Sequence, residues 1–94
     1  MYDLLKHDLN ENWSILEESI KFNDVCRFNG QEFICSKIIP YKSEEYIYCG
    51  NLNNNKKLFA LQTVVDGRFY VRVLKRRNEL EFALNLFKKW SVKS

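Results

Sequence analysis

Ninety-four residues with 46% hydrophobic and 15% aromatic content make one domain, 1–94, with a packed core rather than a disordered chain. No apolar run approaches the roughly 18 residues that cross a membrane, and the start Met1-Tyr2-Asp3-Leu4-Leu5-Lys6 has no basic segment leading into a continuous apolar one, so no membrane role and a cytoplasmic location are expected. The net charge of +3 hides a split: residues 1–47 hold nine acids and five bases, residues 48–94 ten bases and three acids. Such asymmetry either pairs internally or makes a one-signed surface.

Residues 3–22 read as an amphipathic helix. Leu5, Leu9, Trp13, Leu16 and Ile20 recur at spacings of 4, 4, 3 and 4, which places them on one narrow face. Asp3 is its candidate N-cap. A hairpin follows: Val25 to Phe28, the turn Asn29-Gly30, then Gln31 to Cys35. Asn-Gly suits a type I′ turn, whose two central residues need positive φ. That turn pairs Phe28 with Gln31, Arg27 with Glu32 and Cys26 with Phe33. Cys26 and Cys35 then lie diagonally, a poor placement for a disulfide. With Cys49 they make an odd count lacking any C-x-x-C pair, so all three are expected to be reduced, buried thiols.

Pro40 ends or edges the second strand, since it cannot donate to a ladder. Residues 45–49 alternate Tyr46 and Tyr48 against Ile47 and Cys49, and 50–57 form a polar loop. Asp66-Gly67 then turns a second hairpin that pairs Val64 with Phe69, Gln62 with Val71 and Ala60 with Val73. One face of it (Leu58, Ala60, Val64, Phe69, Val71, Val73) is nearly all apolar. The other mixes Phe59 and Leu61 with Arg68, Tyr70 and Arg72, and two arginines argue against a fully buried layer. Asn78 is the candidate N-cap of a last helix running to about Trp90 or Val92. Its apolar residues, Leu80 to Trp90, span more than half its circumference, which is wider than one sheet face needs.

The expected fold class is therefore α+β: an antiparallel β-meander of about five strands with two tight hairpins, flanked by an N-terminal and a C-terminal α-helix. Its core would join Trp13, Leu16 and Ile20 to Phe28, Phe33, Val64, Phe69, Val71, Leu84 and Phe87.

No Gly-rich phosphate loop, no nucleophile–base set and no metal-ligand spacing occurs, and His7 is the single histidine. A non-enzymatic module without cofactor or metal is expected. Its first reading is a protein-binding module: an adaptor, inhibitor or accessory subunit, of the kind phages and mobile elements encode, with a protein partner or a homodimer. Phe82, Leu86 and Trp90 on the wide helix arc are the candidate interface. The alternative is a nucleic-acid-binding domain. Tyr46, Tyr48, Arg68, Tyr70 and Arg72 would stack bases and meet phosphates, while Lys75, Arg76 and Arg77 add cations at a helix N-terminus. By analogy only, helix–strands–helix with bases opening the last helix resembles the topology of double-stranded-RNA-binding domains. The small-residue-rich second helix of those domains is missing, since Leu80 to Trp90 is bulky.

Overall fold

The computed structural model describes residues 2–3 and 13–93, with side chains for 13–89. It is mostly β. The strands are β1 (Tyr2–Asp3), β2 (Ser14–Leu16), β3 (Val25–Phe28), β4 (Gln31–Tyr41), β5 (Glu44–Asn51), β6 (Lys57–Val65) and β7 (Arg68–Val73), followed by one helix, α1 (Arg77–Lys93). They form a single sheet in the order β1-β3-β4-β5-β6-β7-β2. Every neighbouring pair is antiparallel except the two-residue β1 against β3.

The fold class expected from sequence is overturned at its N-terminal helix. Ser14, Ile15 and Leu16 pair with Val71, Tyr70 and Phe69 as an edge strand, and Asp3 lies in β1 beside Arg27 instead of capping a helix. The helix-like residues Leu5 and Leu9, with His7, lie outside the described residues. Leu16 and Ile20 pack inside the sheet from a strand and the segment after it, while Trp13, just before that strand, packs against the layer on the opposite side, so the three do not share one helix face. Without that helix the analogy with double-stranded-RNA-binding domains falls.

Both marked turns carry the expected register. Asn29 and Gly30 sit at φ +55° and +74°, and Asp66 and Gly67 at +52° and +79°, the paired positive values a type I′ turn demands. Between them lies a third tight hairpin. Lys42-Ser43 joins β4 to β5, with Lys42 held at φ +56°. Pro40 does not end β4. It sits where β4 has run past β3, so its missing N–H breaks no ladder on that side. A bulge between Cys35 and Lys37 shifts the register, and the Ser36 hydroxyl donates to the Tyr48 carbonyl (3.2 Å) beside it. The extra residue swaps the faces of β4, so Phe33 and Cys35 point one way and Ile39 the other.

The sheet curls into a half-barrel with apolar layers on both sides. Inside the curl lie Ile20, Cys26, Phe33, Cys35, Ile47, Cys49, Leu58, Ala60, Val71 and Val73. The curl brings the end of β7 round to β3, where the Lys75 ammonium lies 5.6 Å from the Phe28 ring. Residues 17–24 strap the mouth, and Ile20 fills it. The buried Gln62 side chain fixes the strap: its Oε1 accepts from the Ile20 N–H (2.7 Å), and its Nε2 donates to Glu45 Oε1 (2.8 Å). The far end is tied by Asn23 N–H to the Cys35 carbonyl and Cys35 N–H to the Asp24 carbonyl, both 2.8 Å.

Outside the curl, α1 covers the face that two arginines seemed to leave open. Ile39, Phe59, Leu61, Leu74, Ala83 and Phe87 form this second layer. The apolar face of the β6–β7 hairpin is buried only at its inner end. Val64, expected in the core, is 54% exposed near the hairpin tip, and Leu84 on α1 is 45% exposed. α1 starts at Arg77, and the Arg76 carbonyl accepts its first turn's bond from Leu80 N–H (3.0 Å), so Asn78 lies inside the helix instead of capping it.

Candidate groove between the helix and the sheet

Side chains at Lys37, Tyr48 and Phe59 are neighbours across β4, β5 and β6, because Tyr48 pairs with Lys37 on one side and with Phe59 on the other. Helix α1 crosses over β5, setting Phe82 against Tyr46 and Phe87 against Tyr48. On the Phe87 side the crossing leaves a groove of about 500 Å³ lined by Lys37, Tyr48, Lys57, Phe59, Leu84, Phe87 and Lys88. That volume falls within the span of small-ligand and anchor-residue sites.

Three rings make the floor. Tyr48 and Phe59 lie 4.9 Å apart between centroids, Tyr48 and Phe87 5.4 Å, and Phe59 and Phe87 5.5 Å. All three separations are within the favourable range for aromatic pairs, so the floor is mutually braced. Leu84, one turn before Lys88, forms the helical wall. Lys57 reaches over Gly50, where an added Cβ would meet its Nζ at 3.9 Å. The rim thus carries three ammonium groups from β4, β6 and α1. Among the described residues none of the three lies within ion-pair distance of a carboxylate. An apolar, braced floor under three cations can hold an apolar group whose flanks are anionic. Among the described residues no cluster of His, Cys, Asp or Glu suits a metal ion.

The residues singled out in the sequence do not form one surface. Among the described residues Tyr48 alone of them lines the groove. Tyr46 lies on the opposite flank of α1, its ring 6.3 Å from Tyr41 and 5.6 Å from Phe82. Burial and then the nearby Glu44 carboxylate raise the Tyr46 phenol above its ordinary value, so it stays protonated. Arg72 is held inside the structure. Its Nη1 and Nη2 meet Glu79 Oε1 and Oε2 at 3.0 and 2.7 Å, and its guanidinium lies 5.2 Å from the Trp13 ring. With side chains only 16% and 23% exposed, this fork-to-carboxylate pair joins β7 to α1. Arg68 opens β7 at the hairpin tip, beside a second depression of about 490 Å³ with Ile15, Leu16 and Glu17, and Tyr70 is half-buried between Ile15 and Thr63.

Lys75 and Arg76 are exposed past the other end of β7, and Arg77 pairs with Glu81 at 3.4 Å. Seven residues along β7 and the segment after it separate Arg68 from Lys75, a span of up to about 23 Å. Of the expected interface, Phe82 is partly exposed against Tyr41 and Tyr46, Leu86 packs against the outer layer, and the side chain of Trp90 lies outside the described residues.

No pattern in the sequence marks Lys37, Lys57 or Lys88 as a set. The wide apolar arc of α1, which includes Leu84 and Phe87, was the available signal. What joins them is the crossing of α1 over β5, which no local pattern encodes. Among the described residues no helix is long and apolar enough to cross a membrane. Comparison with protein-family models, curated proteins and solved structures gives no match for this chain.

Proposed function

We propose that the protein is a small non-enzymatic protein-binding module, an adaptor, inhibitor or accessory subunit, whose helix–sheet groove takes an apolar segment of a partner flanked by acidic residues. The carrying observation is the aromatic floor of Tyr48, Phe59 and Phe87 beneath the ammonium groups of Lys37, Lys57 and Lys88, none of which pairs with a carboxylate among the described residues. One docked leucine or phenylalanine gains about 1.5–3 kcal/mol from burial. Each exposed rim pair adds only about 0.2–1 kcal/mol. Apolar anchoring therefore sets the affinity, and the lysines set charge preference and encounter rate. Because the cations come from three elements, they suit carboxylates spread along a chain better than one compact anion. The locking of Arg72 and the distance between Arg68 and Lys75 weigh against a continuous nucleic-acid face.

Selection from a random peptide library tests the reading. Enriched peptides should carry apolar residues flanked by Asp or Glu, and should bind the wild type but not Leu84→Asp. Enrichment of basic sequences, or equal binding by Leu84→Asp, would overturn it. Salt-sensitive binding of labelled RNA or DNA that is lost on reversing Lys75 and Arg76 would replace it with the nucleic-acid reading.

A further inference from the structure

Three thiols meet inside the curl, on three adjacent strands: Cys26 on β3, Cys35 on β4 and Cys49 on β5. All are free, with exposures of 0%, 0% and 1%. Cys26 stands opposite Phe33 and is diagonal to Cys35, whereas Cys35 and Cys49 are direct cross-strand partners. The kind of pair follows from the backbone. In an antiparallel ladder a residue's N–H and C=O face the same neighbour. Cys35 spends both on the strap, accepting from Asn23 and donating to Asp24. Cys35 and Cys49 are therefore a non-hydrogen-bonded pair, the closer of the two antiparallel kinds, with Cα atoms about 4.5 Å apart and side chains on one face. That spacing lies within the range a disulfide accepts.

We infer that Cys35 and Cys49 are a dithiol site that closes to a cross-strand disulfide when the Ile20 strap lifts, with a small-molecule disulfide as the oxidant. The strap is the natural gate. It packs Ile20 into the same cluster and holds the backbone of Cys35 itself. Lifting it breaks the Gln62 bonds and uncovers the thiols together. The hydrogen bond from Cys49 holds Cys35 below the ordinary thiol value, while hydrogen bonds with Cys26 and Cys35, then burial, push Cys49 up. Cys35 is accordingly the first nucleophile. Its thiolate attacks one sulfur of the oxidant, a mixed disulfide forms and one thiolate leaves. Cys49 then loses its proton to solvent and attacks the Cys35 sulfur, the Cys35–Cys49 bond forms and the second thiolate leaves. The oxidant is reduced to two thiols, and the protein loses two hydrogens. The next β4–β5 pair past the bulge is Lys37 with Tyr48, so the bond would form one ladder step from the groove, on the opposite face of the sheet.

The test treats the folded, reduced protein with glutathione disulfide and follows intact mass and a peptide map. Expected are the loss of two hydrogens, a single Cys35–Cys49 linkage with Cys26 still alkylatable, and the same product from Cys26→Ser. Gln62→Ala should speed the reaction roughly tenfold, because releasing a buried hydrogen bond of this kind weakens closure by about that factor. A linkage through Cys26, glutathione adducts alone, or thiols inert when folded yet fully reactive in urea would overturn the site. A Gln62→Ala rate equal to wild type would overturn the gate.

Discussion

Replacing Gln62 by leucine would test the strap with little change of volume. In the native protein the Gln62 amide satisfies the buried Ile20 N–H at 2.7 Å and donates to Glu45 at 2.8 Å. Leucine fills the same space but leaves a buried donor unpaired, which costs about 1–3 kcal/mol. The lost Glu45 bond is part-buried and adds a few tenths more. A net loss of about 2 kcal/mol should lower the Tm by about 8–16 °C in a domain of this size. Thermal and urea unfolding followed by circular dichroism measure the loss. Amide exchange locates it, since Ile20 N–H should lose protection more than amides in β5 or β6. Asn51→Ala is the control: its side chain donates to Gln31 at 2.9 Å and accepts from the exposed Asn53 N–H at 2.7 Å, and its removal should cost about 1 kcal/mol without touching Ile20. If Gln62→Leu matched that control and Ile20 kept its protection, the strap would be held by something other than Gln62.

Other outcomes follow from the same contacts. The Glu79 carboxyl is held below its ordinary value, first by its hydrogen bond from Arg72. A depressed folded value contributes stability above the unfolded value near pH 4.3 and loses it as pH falls through the folded one. Wild type should therefore weaken from about pH 5 downward. Glu79→Gln should start about 2 kcal/mol less stable at pH 7 and show a flatter acid limb, as read by urea midpoints across pH. Gly67→Ala meets no atom within 4 Å, so its cost is backbone strain alone at φ +79°, about 1–2 kcal/mol in equilibrium unfolding. Closing Cys35 to Cys49 ties off a loop of about 15 residues and should raise stability by about 3 kcal/mol, measured as the gap between oxidised and reduced urea midpoints.

Where the chain needs positive φ at two successive residues, the sequence was readable to the residue. Asn29-Gly30 and Asp66-Gly67 fixed two registers because few other residues tolerate that geometry. The third hairpin was hidden because Lys42-Ser43 carries no such mark. The bulge near Ser36 was hidden for a related reason: one extra residue reverses the faces of β4 without altering its composition. The N-terminal helix failed differently. Trp13, Leu16 and Ile20 fit a 3.6-residue period, yet pairing of residues 14–16 with β7, insertion of Ile20 from the strap and packing of Trp13 on the outer layer satisfy the same side chains, and tertiary contacts override local period. Arg72 misled because its charge suggested an open face, when Glu79 on α1 was waiting to neutralise it. The groove was legible only in fragments, as Tyr48 on one strand and an over-wide arc on α1.

The most direct test of the central claim is to map a library-selected peptide on the labelled protein by amide chemical-shift changes. Changes concentrated at Lys37, Tyr48, Lys57, Phe59, Leu84 and Lys88 are predicted, and charge reversal of the three lysines should weaken binding about tenfold, the equivalent of some 1.4 kcal/mol. Changes centred instead on Ile15, Leu16 and Arg68, or on Lys75 to Arg77, with the groove silent, would contradict it.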